Sequence, residues 1–359
     1  MQINKSFSLI NDDVIFKPIS NWLLVVLCLC LANIAHAENV VGGVTPENLA
    51  VVVNADDPKS VEVGEYYLSA RHIPDSNLVK VHVSRYLPYM KPEVFEVLRS
   101  QILQKLTPNI QAIVLVWTVP YAVGCNSITS ALTLGYDAKQ CEKTCSPGKM
   151  NPYFDSMSRS PFDSSRMRIS MLLPVESVEQ AKALIDRGVL SAFKLNEASA
   201  YFLITSDINR STRTRFFPRS GRIESKKLEL KTMNADFIEN KSDVMFYFTG
   251  LTHVSKLSSL NFMPGAIADH LTSSGGDLLS TVQMSSLRWL DAGATASYGT
   301  VSEPCNYWQK FSNPKVLLKH YLSGETIIES YWKSVAWPAQ GLFIGEPLAA
   351  PYLQTSPMQ

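Results

Sequence analysis

Ala50-Val51-Val52-Val53-Asn54-Ala55-Asp56-Asp57-Pro58 decides how the chain is read. An unbroken apolar run of four residues stops at a polar turn, and a proline follows an aspartate. The run has the length and composition of a buried strand, and Asp57-Pro58 gives an N-cap with proline in the first helical turn. A helix through Val61, Gly64, Leu68 and Ala70 then runs until Ile73-Pro74 stops it. Val79, Val81 and Val83 follow as a second strand. Val94, Leu98, Ile102 and Leu106 space a second helix, and Ile113 to Val116 is a third apolar run. Strands apolar on both faces and joined through helices pair in parallel, because helices must cover the sheet on both sides.

The alternation extends to the C-terminus. Ile169–Leu173, Tyr201–Thr205, Val244–Phe248, Ala294–Val301 and Gly341–Gly345 read as strands. Val178–Ile185, Ser286–Leu290, Val316–Tyr321 and Ile327–Trp332 read as helices. Residues 120–165 form a loop-rich interruption. The expected class is α/β, a mostly parallel sheet flanked by helices and doubly wound. Two consecutive halves are expected, 38–160 with a cysteine-containing loop and 161–359.

Upstream, Lys5 and Lys17 precede an apolar run from Trp22 to Ala32, and Ala35-His36-Ala37 follows. This order is that of a signal peptide over residues 1–37. A helix of that run would rise about 16 Å, short of the roughly 30 Å of a bilayer core. The mature chain is therefore expected to be exported, to the periplasm or beyond, with no membrane span after cleavage. Cleavage removes Cys28 and Cys30 and leaves Cys125, Cys141, Cys145 and Cys305. Four cysteines in an oxidising compartment pair in three ways, and a disulfide pinning the 141–145 loop is favoured over a zinc site.

The 359 residues carry 33 Lys+Arg against 32 Asp+Glu, a net charge of +1. That balance gives no basic face for nucleic acid. Neither G-x-G-x-x-G nor a P-loop follows a strand, and H-E-x-x-H and G-x-S-x-G are absent. No cofactor or metal is implied.

In sheets of this class ligands bind beyond the carboxyl ends of the strands. That rule selects Asn54, Asp56 and Asp57, then Thr249, Gly250 and His253, then Ser302, Glu303 and Cys305. It also selects the polar run Asp269-His270-Leu271-Thr272-Ser273-Ser274-Gly275-Gly276. If the protein is an enzyme, the residues suit a hydrolase. His270 is the general base, with His253 as a second imidazole, and Cys305 or Ser273 is the nucleophile. Asp269 and Glu303 are the accompanying carboxylates. Against this stand a disulfide partner for Cys305 and a capping or turn role for the 269–276 run. Asp56 and Asp57 already serve a turn and a cap. Tyr307-Trp308 and Tyr331-Trp332 suit a sugar or peptide groove or, more commonly, a core. Peptide and polysaccharide are the partners in view.

SVEVGEYYLSARHIP (60–74), PGAIADHLTSSGG (264–276), QMSSLRWLDAGATASYGTVSEPCN (283–306) and GETIIESYWKSVAWPAQGLFIGEPLAAP (324–351) resemble an uncharacterised family of exported bacterial proteins. That family occurs alongside exosortase sorting systems. The resemblance spans nearly the whole mature chain and implies a role in envelope or exopolysaccharide biology, with no activity to carry over. Phe246-Tyr247-Phe248-Thr249-Gly250 resembles, at fold level, the strand that leads to the T-G-H-G loop of gingipain-like, caspase-like cysteine peptidases. Leu251 stands at the histidine position of that motif, and no cysteine stands near Thr272–Gly275, where the nucleophile would fall. The resemblance implies the architecture with the dyad missing or relocated. The rival to a hydrolase is a non-catalytic binding or accessory protein using the same cleft.

Overall fold

The run from Leu49 to Asn54 is strand β1, buried at every position, and helix α1 follows over Pro58–Arg71. Asp57 caps α1 by accepting from the Lys59 N–H, and His72 closes it with a left-handed backbone. The computed structural model describes residues 43–192 and 196–353. The expected signal segment 1–37 lies outside the described residues.

Chain order continues with β2 (Leu78–Val81), β3 (Tyr89–Met90), α2 (Pro92–Lys105), β4 (Ala112–Val116), β5 (Ala122–Val123) and β6 (Asn126–Ser127). Helices α3 (Ile128–Leu134), α4 (Ala138–Glu142) and α5 (Pro161–Ser165) precede β7 (Ile169–Leu173) and α6 (Val178–Leu190). The second half holds β8 (Ala198–Ile204), β9 (Gly221–Ile223), β10 (Leu228–Asn234), β11 (Lys241–Thr249) and β12 (Leu260–His270). It ends with α7 (Leu287–Asp291), β13 (Ala296–Thr300), α8 (Pro314–Leu322), α9 (Ile327–Ser334) and β14 (Gly341–Gly345).

Eleven strands form one sheet in the order β2-β1-β4-β7-β14-β13-β12-β11-β8-β10-β9, and β3-β5-β6 form a small second sheet. Pairing is parallel at β2-β1-β4-β7 and at β13-β12-β11-β8-β10. The last strand, β14, sits at the seam, antiparallel to β13 and meeting β7 at the single pair Ile344 with Leu172. The mostly parallel, helix-flanked α/β class read from the sequence is the one observed. One continuous sheet carries both halves, within a single compact unit. Order reverses twice, between β1 and β4 and between β8 and β11, which makes the sheet doubly wound. Among the described residues no helix is long and apolar enough to cross a membrane.

Two strands escape a pattern reading for identifiable reasons. β12 contains Pro264-Gly265, residues that argue against a central strand. Its pairing with β11 jumps from Val244–Phe262 to Phe246–Ile267, so the extra residues bulge out and only its second half is buried throughout. β10 is Leu-Glu-Leu-Lys-Thr-Met-Asn, half-buried near the sheet edge, with too little apolar surface to stand out.

Candidate functional site

The two switch points are filled by the protein itself. At the first, the buried Asn54 amide donates to the Val83 carbonyl at 2.9 Å and accepts from the Val83 N–H at 3.2 Å. Ser60 donates to the Val116 carbonyl beneath it. Asp56 pairs with His82 at 2.8 Å in solvent, and Asp57 is the α1 cap, so these three residues pin a turn. At the second, Gly250 lets the loop leaving β8 close onto β11, because a side chain there would run into the Arg210 carbonyl.

Through that contact Arg213 enters the core, 2% exposed. Its guanidinium meets Asp269 Oδ1 at 2.5 Å and donates to the carbonyls of Thr249 at 2.8 Å and Asp269 at 3.2 Å. Ser312 donates to Asp269 Oδ2 at 2.6 Å. Burial pushes the Asp269 carboxyl up from the usual range, and Arg213 opposes that shift. Asp269 is thus the partner of a buried arginine.

Asp269 and His270 are consecutive in a strand, so their side chains leave opposite faces of the sheet. His270 lies against Trp289, whose indole N–H donates to His270 Nδ1 at 2.9 Å. An indole only donates, so Nδ1 holds the lone pair and the ring proton is on Nε2. That proton is given to the Met284 carbonyl at 3.0 Å. The ring is 2% exposed, and burial, with Arg213 adding to it, lowers its pKa from 6.5 to about 3. Both nitrogens of a neutral imidazole are occupied. The expected general base is corrected on this ground: no lone pair faces solvent or a nucleophile.

Cys305 is bonded to Cys145, and Cys125 to Cys141. The three-fold pairing ambiguity is resolved, and the expected Cys305 nucleophile is corrected, since its sulfur is part of a disulfide. Glu303 Oε1 accepts from the Cys305 N–H at 2.7 Å, and the carboxylate and the two sulfurs lie within 4.8 Å of one another. Ser302 donates to the Cys125 carbonyl at 2.8 Å. These residues therefore bind the loop after β13 to the cysteine loop rather than facing either histidine.

Ser273 gives its carbonyl to the Thr300 hydroxyl at 3.0 Å. The glycines after it do provide close backbone approach, though to protein: a side chain at Gly276 would strike the Gly299 carbonyl of β13. Arg210 Nε donates to the Thr272 hydroxyl at 3.2 Å, which donates to Gln283 Oε1 at 2.7 Å. The 269–276 run is a knot that joins β12, β13 and the loop after β8.

What stays open is a cleft of about 440 Å³ lined by the loops that leave the carboxyl ends of β7, β11 and β12. Glu176 follows β7, His253 follows β11, and Gln283, Met284 and Arg288 follow β12. His253 is exposed, and its ring has no hydrogen-bond partner among the described residues. Arg288 forks between Glu176 at 3.4 Å and Asp291 at 2.8 Å. Burial, and Asp291 nearby, raise the Glu176 carboxyl above its usual range against the pull of Arg288. His253 is the one expected site residue that lines this cleft. Glu176 and Arg288 were missed because they bear no motif; only their place after β7 and on α7 brings them here.

Neither aromatic pair lines the cleft. Tyr331 and Trp332 are fully buried core, Trp308 packs on Phe216, and Tyr307 packs on Trp337.

No protein-family model matches this sequence, and no curated protein matches it. Among solved structures the chain is similar to a structure of a protease at 10% identity and TM-score 0.49, over 86% of this chain and 79% of that one. It is also similar to the complex of Porphyromonas gingivalis RgpB pro- and mature domains at 10% identity and TM-score 0.43, over 84% and 79%.

Proposed function

We propose that the protein is an exported, envelope-associated binding protein that holds a polypeptide segment in the cleft around His253, Glu176 and Arg288 without cleaving it. One observation carries this reading. Two of the groups suited to hydrolysis are engaged elsewhere, both His270 nitrogens in hydrogen bonds and the Cys305 sulfur in a disulfide, while the open cleft has an exposed imidazole and a forked ion pair. The resemblance to gingipain-like peptidases supports it from the other side, because Leu251 stands at the histidine position and no cysteine stands near Thr272–Gly275. The wall mixes Leu278, Leu279 and Met284 with Ser280, Thr281 and Gln283, which suits a peptide's alternating apolar and amide groups. The absence of aromatic residues from that wall disfavours a sugar-stacking role. Export rests on the leader pattern, and two disulfides accord with an oxidising compartment. The resemblance to the exosortase-associated family supports an accessory role at the envelope.

The test uses fluorescein-labelled unfolded casein with the intact mature protein. The expected result is saturable retention of undegraded casein, weakened at least about tenfold in Arg288→Ala and in His253→Ala. Release of casein fragments that stops in His253→Ala would replace the binding reading with a hydrolase using His253 as base.

A further inference from the structure

Helix α2 is apolar on two sides. Phe95, Leu98 and Ile102 face the core, while Val94 and Val97 point outward at 56% and 59% exposure. The sequence spacing put Val94 on the core stripe; the structure turns it to solvent. A stable surface helix normally covers its outer face with polar residues. Across from Val94 and Val97 lie Leu87 and Tyr89, 59% and 44% exposed, and together these side chains wall a groove of about 580 Å³. An apolar patch of this kind on a folded surface marks an interaction site.

The floor of the groove decides what fits it. β3 is the edge strand of the small sheet. The Pro88 and Met90 carbonyls accept from N–H groups of Ala122 and Gly124, so they face β5. Tyr89, between them, turns its own N–H and C=O to the opposite edge, which pairs with no strand among the described residues. An open strand edge beside apolar side chains is the arrangement to which an extended peptide adds as a further strand.

The groove lies next to the cleft wall. Tyr121, whose ring packs edge-on to Tyr89 at 5.6 Å, donates to the Asp277 carboxylate at 2.5 Å. Asp277 immediately precedes Leu278 and Leu279, which line the cleft. A polypeptide leaving the cleft past Asp277 is thereby brought close to Tyr89 of β3.

We propose that this groove is a second subsite, taking an extended apolar stretch of the same polypeptide by strand addition to Tyr89; it rests on the peptide-binding reading of the cleft. The probe is a fluorescein-labelled ten-residue peptide of alternating valine and threonine with lysine at each end. Anisotropy with the intact mature protein should show saturable binding. An analogue N-methylated at alternate residues, which keeps the side chains and loses the strand hydrogen bonds, should bind at least about tenfold more weakly. Val97→Asp and Leu87→Asp, both at exposed positions, should weaken binding at least about tenfold while the circular dichroism spectrum and Tm stay those of the wild type. In His253→Ala, whose cleft is weakened, the penalty for N-methylation and the loss in Val97→Asp should both persist, so failure of the cleft reading in the casein test is separable from failure here. Equal binding of the N-methylated analogue, binding unchanged by both aspartate variants, or no binding would overturn the proposal. So would a dimer in sedimentation that Val97→Asp dissolves, which would give the groove to a second copy of the chain.

Discussion

His270 should make the fold sensitive to mild acid. In the folded protein the ring takes a proton only near pH 3, because burial disfavours the cation and both nitrogens are already engaged. In the unfolded chain it takes one near pH 6.5. Between those values the unfolded state binds more protons, so lowering the pH favours unfolding. The slope approaches 1.4 kcal/mol per pH unit below about 6.5, or about 2–3 kcal/mol lost between pH 6.5 and 4.5 from this one group. Other groups titrate in the same range, so the assay is a difference. Urea denaturation of the wild type and of His270→Gln is measured at intervals from pH 7.5 to 4.5. The variant should be less stable at pH 7.5, having lost packing and hydrogen bonds, and the gap should narrow by about 2–3 kcal/mol on acidification. A gap that does not change with pH would mean that His270 titrates near its ordinary value. It would then be accessible as a base, and the neutral, buried imidazole described above would be refuted.

Replacing Arg213 with methionine leaves the Asp269 carboxylate buried without its partner, and should cost about 3–5 kcal/mol in urea denaturation. The double variant with Asp269→Leu should recover a large part of that loss; a single variant within about 1 kcal/mol of wild type would contradict the ion pair. The mature protein should incorporate no thiol-directed reagent until it is unfolded and reduced, and Cys305→Ser with Cys145→Ser should lose about 3–5 kcal/mol, since that bridge closes 160 residues. Labelling of Cys305 in the folded, unreduced protein would refute the pairing.

The sheet was largely legible because its strands are apolar on both faces. β1, β4, β7 and β14 are buried at every position, and such runs separate cleanly from the turns between them. β12 was not, because Pro264-Gly265 and the bulge break its pattern. Its loss mattered: with Asp269 and His270 placed in a loop they look like neighbours in a site. As the last two residues of a strand they face opposite layers, one toward Arg213 and the other toward Trp289. Strand-end position pointed to the loops after β11 and β12, and His253, which lines the cleft, is among their residues. The rule says nothing about which loops close the crevice and which leave it open. Arg210, Arg213, Glu176 and Arg288 carry no local motif, and their roles come from residues distant in the sequence.

In the proposed function a polypeptide binds at the loops after β7, β11 and β12 and leaves intact. Backbone amide NMR of the isotopically labelled mature protein, titrated with a tryptic digest of casein and followed by mass spectrometry of the digest, tests both parts at once. Shifts should concentrate at Glu176, His253, Thr281, Gln283 and Arg288, with every input peptide recovered at its original mass. Shifts confined to other surfaces, or new shorter peptides in the digest, would contradict it.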